Sequence, residues 1–519
     1  MTEGWWPDVT LTDLLRQRAR ATPTAPALLT GDRTLTFADL ERESGRVAAG
    51  LAALGVGRGD VVSCQLANVP EVLVLHHAVA RRRAIFNPIH LPYRAAEVGP
   101  ILAFARSRVM VVGPTLRGFD FVDMVRTLQP SLPALRALVV VDRPRKGVIT
   151  WEDLRRADTG PVPETPHPDD PFLLLFTSGT TASPKATLHT HNMRLGNARA
   201  NAREWRLTPD DRVLSLARFS HMWGLMVYWM ALDAGAPHVL LETIAPAAVV
   251  EATRRARATV AVGAPAHVAD LLAAPEFDPA ALETLRLFAL SGSVCPPALA
   301  RRLREVAGVT PLMLWGMTET GGGCFTRPDD PPEVIESTIG SAAPGCELAI
   351  LDDGGKPLAP GCEGELVIRS PFVFEGYLDN PAATAESFTP DGWFKTGDIA
   401  TMDAGGLVRI HGRSKEQMNR GGIKFHPADV EDVLVRHPAV RQVALVGMPD
   451  ARLGERNCCF VVLRPGAAAP ALEDLTALLD QAGVAKFKWP ERLEIAESLP
   501  VTPTGKVQRA VLRARLGSG

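Results

Sequence analysis

The sequence predicts an α/β protein of more than one domain, on three observations. Short continuous apolar runs at 109–112, 138–141 and 287–290 alternate with stretches of helical apolar spacing. Strands buried on both faces read this way, and their alternation with helices points to parallel, doubly wound sheets. The chain has 519 residues, too many for one hydrophobic core. From about residue 340 to 412 the pattern changes to short runs at 347–351, 365–368 and 407–410 separated by Gly- and Pro-rich turns, which implies β-structure beside the main sheets.

Taken in order, residues 9–56 carry helical spacing at Leu11, Leu14, Leu15 and at Val47, Leu51, Leu54, with Thr10 and Thr12 as cap residues. A strand at 60–66 and a helix at 70–83 follow, then a turn-rich connection at 86–93. A proline-rich connector, 158–171, leads to an apolar strand at 172–176. Beyond it come a helix at 192–204, strands at 213–216, 239–241 and 260–262, and helices near 225–232 and 246–257. The strands at 287–290 and 312–319 end in polar residues, Ser291-Gly-Ser293 and Gly316-Met-Thr-Glu319. The polar break at 412–416 marks a domain boundary, giving an N-terminal domain over 1–412 and a smaller unit over 413–519. The latter reads as a helix at 428–436, strands at 442–447 and 458–463, and a helix at 472–482.

Composition excludes several classes. Hydrophobic residues make up 46% and charged residues 22%, the balance of a soluble globular chain. A formal net charge of −2 argues against nucleic acid or an acidic membrane as main partner. The richest apolar stretch, 222–232, is broken by Asp233, well short of the ~20 residues of a membrane span. The N-terminus lacks a basic segment followed by an apolar one, so no secretory signal is read. Seven scattered cysteines, an odd number without metal-site spacing, suit a reduced cytoplasmic enzyme with neither a disulfide framework nor protein-bound zinc.

The stretch Phe176-Thr-Ser-Gly-Thr-Thr-Ala-Ser-Pro-Lys185 holds the strongest chemical signal. Thr177, Ser178, Gly179, Thr180 and Thr181 can turn hydroxyls and backbone N–H groups toward one polyanion, and Lys185 adds a positive charge. It is not a Walker A loop, which needs glycine directly before its lysine. The plainer reading is a polar strand-to-helix turn. Ligands gather where the strands of open α/β sheets end, so Lys185, Ser293 and Glu319 can share one pocket. Each motif also has a structural reading: Glu319 as a helix cap, Asp398 in Trp393-Phe-Lys-Thr-Gly-Asp398 as a turn cap, and Lys506 in Pro503-Thr-Gly-Lys506 as a solvated loop lysine.

In this order and at these separations the motifs resemble the adenylate-forming superfamily of acyl-CoA synthetases, peptide-synthetase adenylation domains and luciferases. The resemblance spans essentially the whole chain. It implies a large N-terminal domain of two α/β lobes plus a β-barrel-like part, with a small mobile α+β C-terminal domain. It further implies that Thr177 to Lys185 hold the β- and γ-phosphates of ATP, that Trp315, where the family usually has tyrosine, stacks on adenine, and that Thr318 touches the α-phosphate. Glu319 is the implied Mg²⁺ ligand. Asp398 and Arg413 are implied at the ribose and phosphates, Lys415 at the hinge, and Lys506 between the substrate carboxylate and the α-phosphate. His221 and Ser293 fall at family positions in the acid pocket, with Phe219, Met222 and Trp223 lending it an apolar lining. The family usually has glycine where this chain has Ala182 and Ala186, and alanine costs of order 1 kcal/mol wherever a positive φ is needed.

Arg420-Gly-Gly-Ile-Lys-Phe-His-Pro427 is similar to the acyl-CoA synthetase version of the segment after the hinge, in which Gly421 and Gly422 line a pantetheine tunnel. Gly4-Trp-Trp, Asn87-Pro-Ile-His-Leu-Pro-Tyr-Arg94 and Arg117-Gly-Phe-Asp120 look like the cyclohexanecarboxylate–CoA ligase branch. The expected function is activation of an apolar, aromatic or alicyclic acid as acyl-AMP followed by thioester formation with CoA. Transfer to a carrier-protein pantetheine, an ATP- and nitrite-dependent diazotase acting on an arylamine acid, and a non-catalytic nucleotide-binding scaffold are the alternatives. The expected assembly is a monomer or homodimer.

Overall fold

The computed structural model describes residues 4–516 except 32, 114, 117, 142, 157–164, 178–184, 294, 421–422, 451–452 and 503–504. By its internal packing the chain divides into two units, one of residues 1–336, 340–347 and 369–388, the other of 337–339, 348–368 and 389–519.

Among the described residues the first unit holds two large sheets, beside a small two-stranded pair of Thr115–Leu116 with Phe119–Asp120. Among the described residues one has seven strands. Val61–Gln65 lies between Ile85–Pro88 and Val109–Val112, all parallel, and Ala137–Val140 and Ile149–Thr150 extend the parallel run. Strand β1 (Pro171–Thr177) joins Ile85–Pro88 in parallel, and β2 (Lys185–Thr190) closes that edge antiparallel to β1. Helix α1 (His191–Glu204) leaves β2 directly, its first turn capped by the Thr190 hydroxyl. Helix α2 (Met222–Ala234) begins at His221 and stops at Gly235, whose φ of +78° is the left-handed turn that glycine adopts without strain. Among the described residues the second sheet has nine strands, parallel from His238–Val239 through Val213–Ser215, Val260–Gly263 and Leu287–Leu290 to β3 (Thr310–Met317). Strand β4 (Gly321–Phe325) folds back antiparallel on β3.

The parallel strands carry no polar alternation because both of their faces are covered: Val109–Val112, Val260–Gly263 and Leu287–Leu290 are buried throughout. One core runs between the sheets and includes Val62, Phe86 and Phe172 from the first, Val213, Val260 and Leu312 from the second, and the buried side of α2. Residues 222–232 of α2 are all buried, as expected of a helix apolar on every side. Its Trp229 donates its indole N–H to His76 Nε2 at 3.2 Å, and the Tyr228 hydroxyl lies 2.6 Å from His77 Nε2. Both histidines sit on the buried helix Pro70–Arg81 beside the first sheet. Truncating a fully buried tryptophan typically costs ~3–5 kcal/mol, so Trp229 is a principal tie between the lobes.

The structure departs from the sequence reading in several places. Residues 9–56 are not helical throughout: between Leu11–Ala21 and Phe37–Ala53 the chain makes an antiparallel pair, Pro26–Thr30 with Arg33–Thr36, at the edge of the nine-stranded sheet. Thr10 caps the first helix in a reciprocal box with Asp13, whereas Thr12 lies buried inside it. Ile85–Pro88 is a strand rather than a turn, because it fills the gap between Val61–Gln65 and β1. Residues 185–190 form β2, so the hydroxyl-rich stretch joins two antiparallel strands and not a strand to a helix.

In the second unit β5 (Phe394–Met402) pairs antiparallel with Glu363–Arg369 on one side and β6 (Val408–Arg413) on the other. A further sheet is built on the long antiparallel pair Val440–Asp450 and Gly454–Leu463, with Arg492–Ile495 added in parallel. Helices Ala428–Leu434 and Leu472–Gln481 cover one face over Met418, Phe425 and Leu445, while Leu499 and Leu512 cover the other over Ala444 and Phe460. The closing helix Arg509–Leu516 is fastened by Arg509, which donates to both oxygens of Glu431 at 2.7 and 3.0 Å. Among the described residues no helix is long and apolar enough to cross a membrane.

Candidate functional site

Thr177 and Lys185 face one another at the open end of the β1–β2 ladder. Ser178, Gly179, Thr180, Thr181 and Ala182 lie outside the described residues. Ala186 pairs with Phe176 in extended conformation, so alanine carries no backbone penalty there. The Thr187 hydroxyl of β2 is satisfied locally, which helps a strand hide in a hydroxyl-rich stretch. The Thr187 hydroxyl lies 3.2 Å from Leu175 O and 2.9 Å from His189 Nε2.

Strands β3 and β4 are joined by a turn that carries Thr318 and Glu319. Trp315 is buried near the end of β3, opposite Cys324, with a bulge between it and Gly316. The Thr320 hydroxyl accepts the Met317 N–H at 3.0 Å and closes the turn. The two strands approach so closely that a Cβ at Gly316 would lie 2.1 Å from the Gly321 carbonyl oxygen. We therefore expect Gly316→Ala to displace Glu319 and lower the yield of folded enzyme, with destabilisation of ~1–3 kcal/mol measured by denaturant melts. An unchanged melt would count against this geometry.

Glu319 is not a helix cap, since a strand follows it. Its side chain is buried, and one carboxylate oxygen accepts a hydrogen bond from the Tyr377 hydroxyl at 2.9 Å. The Lys185 ammonium sits 4.6 Å from the centre of the same tyrosine ring. The Tyr377 segment is pinned to β2 by the Leu378 N–H, which donates to Ala186 O at 2.8 Å, and to the turn by the Phe374 N–H, which donates to Glu319 O at 2.8 Å. Burial, with the Glu319 charge beside it, holds the Tyr377 phenol well above its usual range and therefore neutral. Sequence reasoning passed over Tyr377, because Gly376-Tyr-Leu has the look of an ordinary turn and no charge or spacing marks it. The carboxylate suits a hard divalent cation such as Mg²⁺, which takes few protein oxygens and completes its shell with phosphate and water. Among the described residues no cluster of three or more His, Cys, Asp or Glu side chains competes for that role.

His221 caps α2: its Nδ1 accepts the Trp223 N–H at 3.3 Å. Its ring stacks on His90, centroids 6.4 Å apart, and burial pushes the His90 pKa down to about 4. Ser293 is exposed just past the strand Leu287–Leu290, after Gly292. Met222 and Trp223 are buried in the core, with Trp223 edge-on to Trp205 at 6.0 Å.

In the second unit Asp398 and Arg413 occupy facing positions on β5 and β6, and Arg413 Nε lies 2.6 Å from Asp398 Oδ1. Asp398 is 4% exposed, and its N–H donates to the Thr396 hydroxyl at 3.0 Å. Lys415 lies in a short 3₁₀ turn, Ser414–Glu416. Gly421 and Gly422 fall outside the described residues. Lys506 is exposed on a turn closed by the Thr502 N–H, which donates to Lys506 O at 2.7 Å. The first unit thus gathers Lys185 and Glu319 on one tyrosine, and the second pairs Asp398 with Arg413.

Residues 15–378 match the model of the AMP-binding enzyme family, and residues 429–506 that of the AMP-binding enzyme C-terminal domain. The chain belongs to the AMP-binding enzyme family. It is thus an adenylate-forming enzyme, with a large N-terminal and a small C-terminal domain. This family member is 34% identical to a medium-chain fatty-acid–CoA ligase of Escherichia coli (strain K12), over 98% of this chain and 91% of that protein. It is 36% identical to a salicyl-AMP ligase/salicyl-S-ArCP synthetase of Mycobacterium tuberculosis (strain ATCC 25618 / H37Rv), over 99% and 92%. Among solved structures it superposes on an anthranilate CoA ligase in complex with anthranoyl-AMP with a TM-score of 0.90, at 27% identity over 98% and 97% of the two chains.

Proposed function

We propose that this AMP-binding enzyme joins an apolar aromatic or alicyclic carboxylic acid to AMP and then passes the acyl group to CoA. The observation that carries the reading is the junction at Tyr377, where Lys185, the first residue of β2, and a buried carboxylate meet on one side chain. In the first step the acid's carboxylate attacks the α-phosphorus, the P–O bond to the β-phosphate breaks, and pyrophosphate leaves. In the second the CoA thiolate attacks the acyl carbon and AMP leaves.

Two anions meet in the first step, so cations must offset their repulsion. Thr177 to Lys185 hold the β- and γ-phosphates, Thr318 the α-phosphate, and Trp315 the adenine. Mg²⁺, when bound, neutralises phosphate charge, and Glu319 is the residue that holds it. Asp398 accepts from the ribose hydroxyls with Arg413 beside it. Residues 413–519 move as a unit about Lys415; Lys506 serves adenylation, and Gly421 and Gly422 serve thioester formation. His221 and Ser293 border the acid. The CoA-ligase relatives support CoA as acceptor. The 36% identity to a synthetase named for a salicyl-S-ArCP product supports a second reading, transfer to a carrier-protein pantetheine.

The test is incubation with ATP, Mg²⁺ and a panel of aromatic, alicyclic and medium-chain acids, with CoA present or absent. AMP release with a thioester seen by mass spectrometry is the expected result. A thioester that forms only on an added carrier protein would replace CoA with the second reading. AMP release that needs nitrite and an aminoaryl acid, with no thioester, would overturn both.

A further inference from the structure

Lys185 and Glu319 carry opposite charges and work on the same substrate, so their natural fate is to pair with each other. Such a pair would remove one cation from the phosphates and the anionic ligand from the metal at once. The structure places a third group against both. The Tyr377 hydroxyl takes one oxygen of Glu319 at 2.9 Å, and the Tyr377 ring takes the Lys185 ammonium 4.6 Å from its centre. Its own backbone is held on both sides, by Ala186 O at Leu378 and by Glu319 O at Phe374.

We propose that Tyr377 is a positioning residue that keeps Lys185 and Glu319 apart and aimed, serving the metal through its hydroxyl and the phosphates through its ring. This rests on the reading of Glu319 as the metal ligand. The two tasks use different atoms. A hydrogen bond to one oxygen fixes the plane of the carboxylate and leaves its remaining lone pairs to a cation. A ring face attracts an ammonium without neutralising it, so the lysine keeps its full charge for phosphate. Phenylalanine therefore removes only the first task, and leucine removes both.

The test measures binding rather than turnover. Mn²⁺ affinity for the full-length enzyme saturated with a non-hydrolysable ATP analogue is read by electron paramagnetic resonance of the free ion. Analogue affinity without metal is read by calorimetry. Tyr377→Phe is expected to weaken Mn²⁺ binding by ~10-fold, the worth of one hydrogen bond to a charged group, and to leave metal-free analogue binding within ~2-fold. Tyr377→Leu is expected to weaken both, the second by ~3–10-fold. Glu319→Gln is the control. If it leaves Mn²⁺ affinity unchanged, the metal reading of Glu319 fails. If it weakens Mn²⁺ binding while Tyr377→Phe does not, the positioning role alone is overturned. A Tyr377→Phe variant that weakens metal-free analogue binding as much as Mn²⁺ binding would also overturn it, since that is the mark of general structural damage. Thermal melts of each variant separate such damage from loss of aim.

Discussion

Replacing Lys506 by alanine is expected to slow acyl-AMP formation by at least ~100-fold, the usual cost of removing one well-placed donor from a charge-stabilising site. Conversion of presynthesised acyl-AMP and CoA to thioester should stay within a few-fold of the unaltered enzyme. The structure makes this a clean experiment. Lys506 is exposed on a turn held by backbone and by Thr502, through the Thr502 N–H to Lys506 O at 2.7 Å and the Lys506 N–H to the Thr502 hydroxyl at 3.1 Å. Lys506 is exposed, and substitutions at exposed positions usually move melts by no more than ~0.5 kcal/mol, so a larger shift would mark structural damage. Pyrophosphate release from ATP and acid reports the first step, and loss of acyl-AMP on adding CoA reports the second. Equal slowing of both steps would remove Lys506 from the role proposed for it.

The second large effect is on acid stability. His76, His191 and His238 are fully buried, and burial holds each pKa down to about 3, against 6.5 in a solvated chain. A group whose folded pKa is depressed contributes stability above its unfolded pKa and loses it as the pH falls toward the folded value. The loss therefore begins near pH 6.5 and continues toward pH 3. At pH 5 each histidine forfeits on the order of 2 kcal/mol, and the three together approach the whole stability of an ordinary domain. His77 and His189 are fully buried too, and burial holds them well below 6.5, so we expect the enzyme to unfold cooperatively near pH 5 with uptake of more than three protons, measured by urea melts between pH 7.5 and 4.5. His238→Phe should lower that uptake by one. Among the described residues neither ring nitrogen of His238 has a hydrogen-bond partner, and the buried ring lies against Phe219 and Tyr228, so an apolar ring suits the place. Stability that stays flat down to pH 5 would show these imidazoles to be solvated.

The parallel strands were legible because a strand covered on both faces must be apolar along its length, as at Val109–Val112 and Leu287–Leu290. Strand β2 was not, because Lys185, Thr187, His189 and Thr190 give it a polar composition that continues the hydroxyl-rich stretch before it, until the Thr187 bond to Leu175 and the ladder with β1 are seen. Ile85–Pro88 stayed hidden for a related reason: Asn87 and Pro88 are turn residues by composition, yet Asn87 is fully buried and donates to the Ser63 hydroxyl at 2.8 Å. The charged members of the site announced themselves by motif. Tyr377 did not, since what it does depends on groups nearly 60 and 200 positions away in the chain.

The helix Met222–Ala234 limits how this enzyme can be taken apart. Its Tyr228 and Trp229 dock on His77 and His76, while the strands beside it belong to the other sheet. A fragment ending before residue 222 therefore bares a histidine pair and a large greasy seam, and will precipitate. Chimeras that trade substrate preference with a relative should move residues 70–81 and 222–234 as one package, because exchanging either alone mismatches a lock with its key.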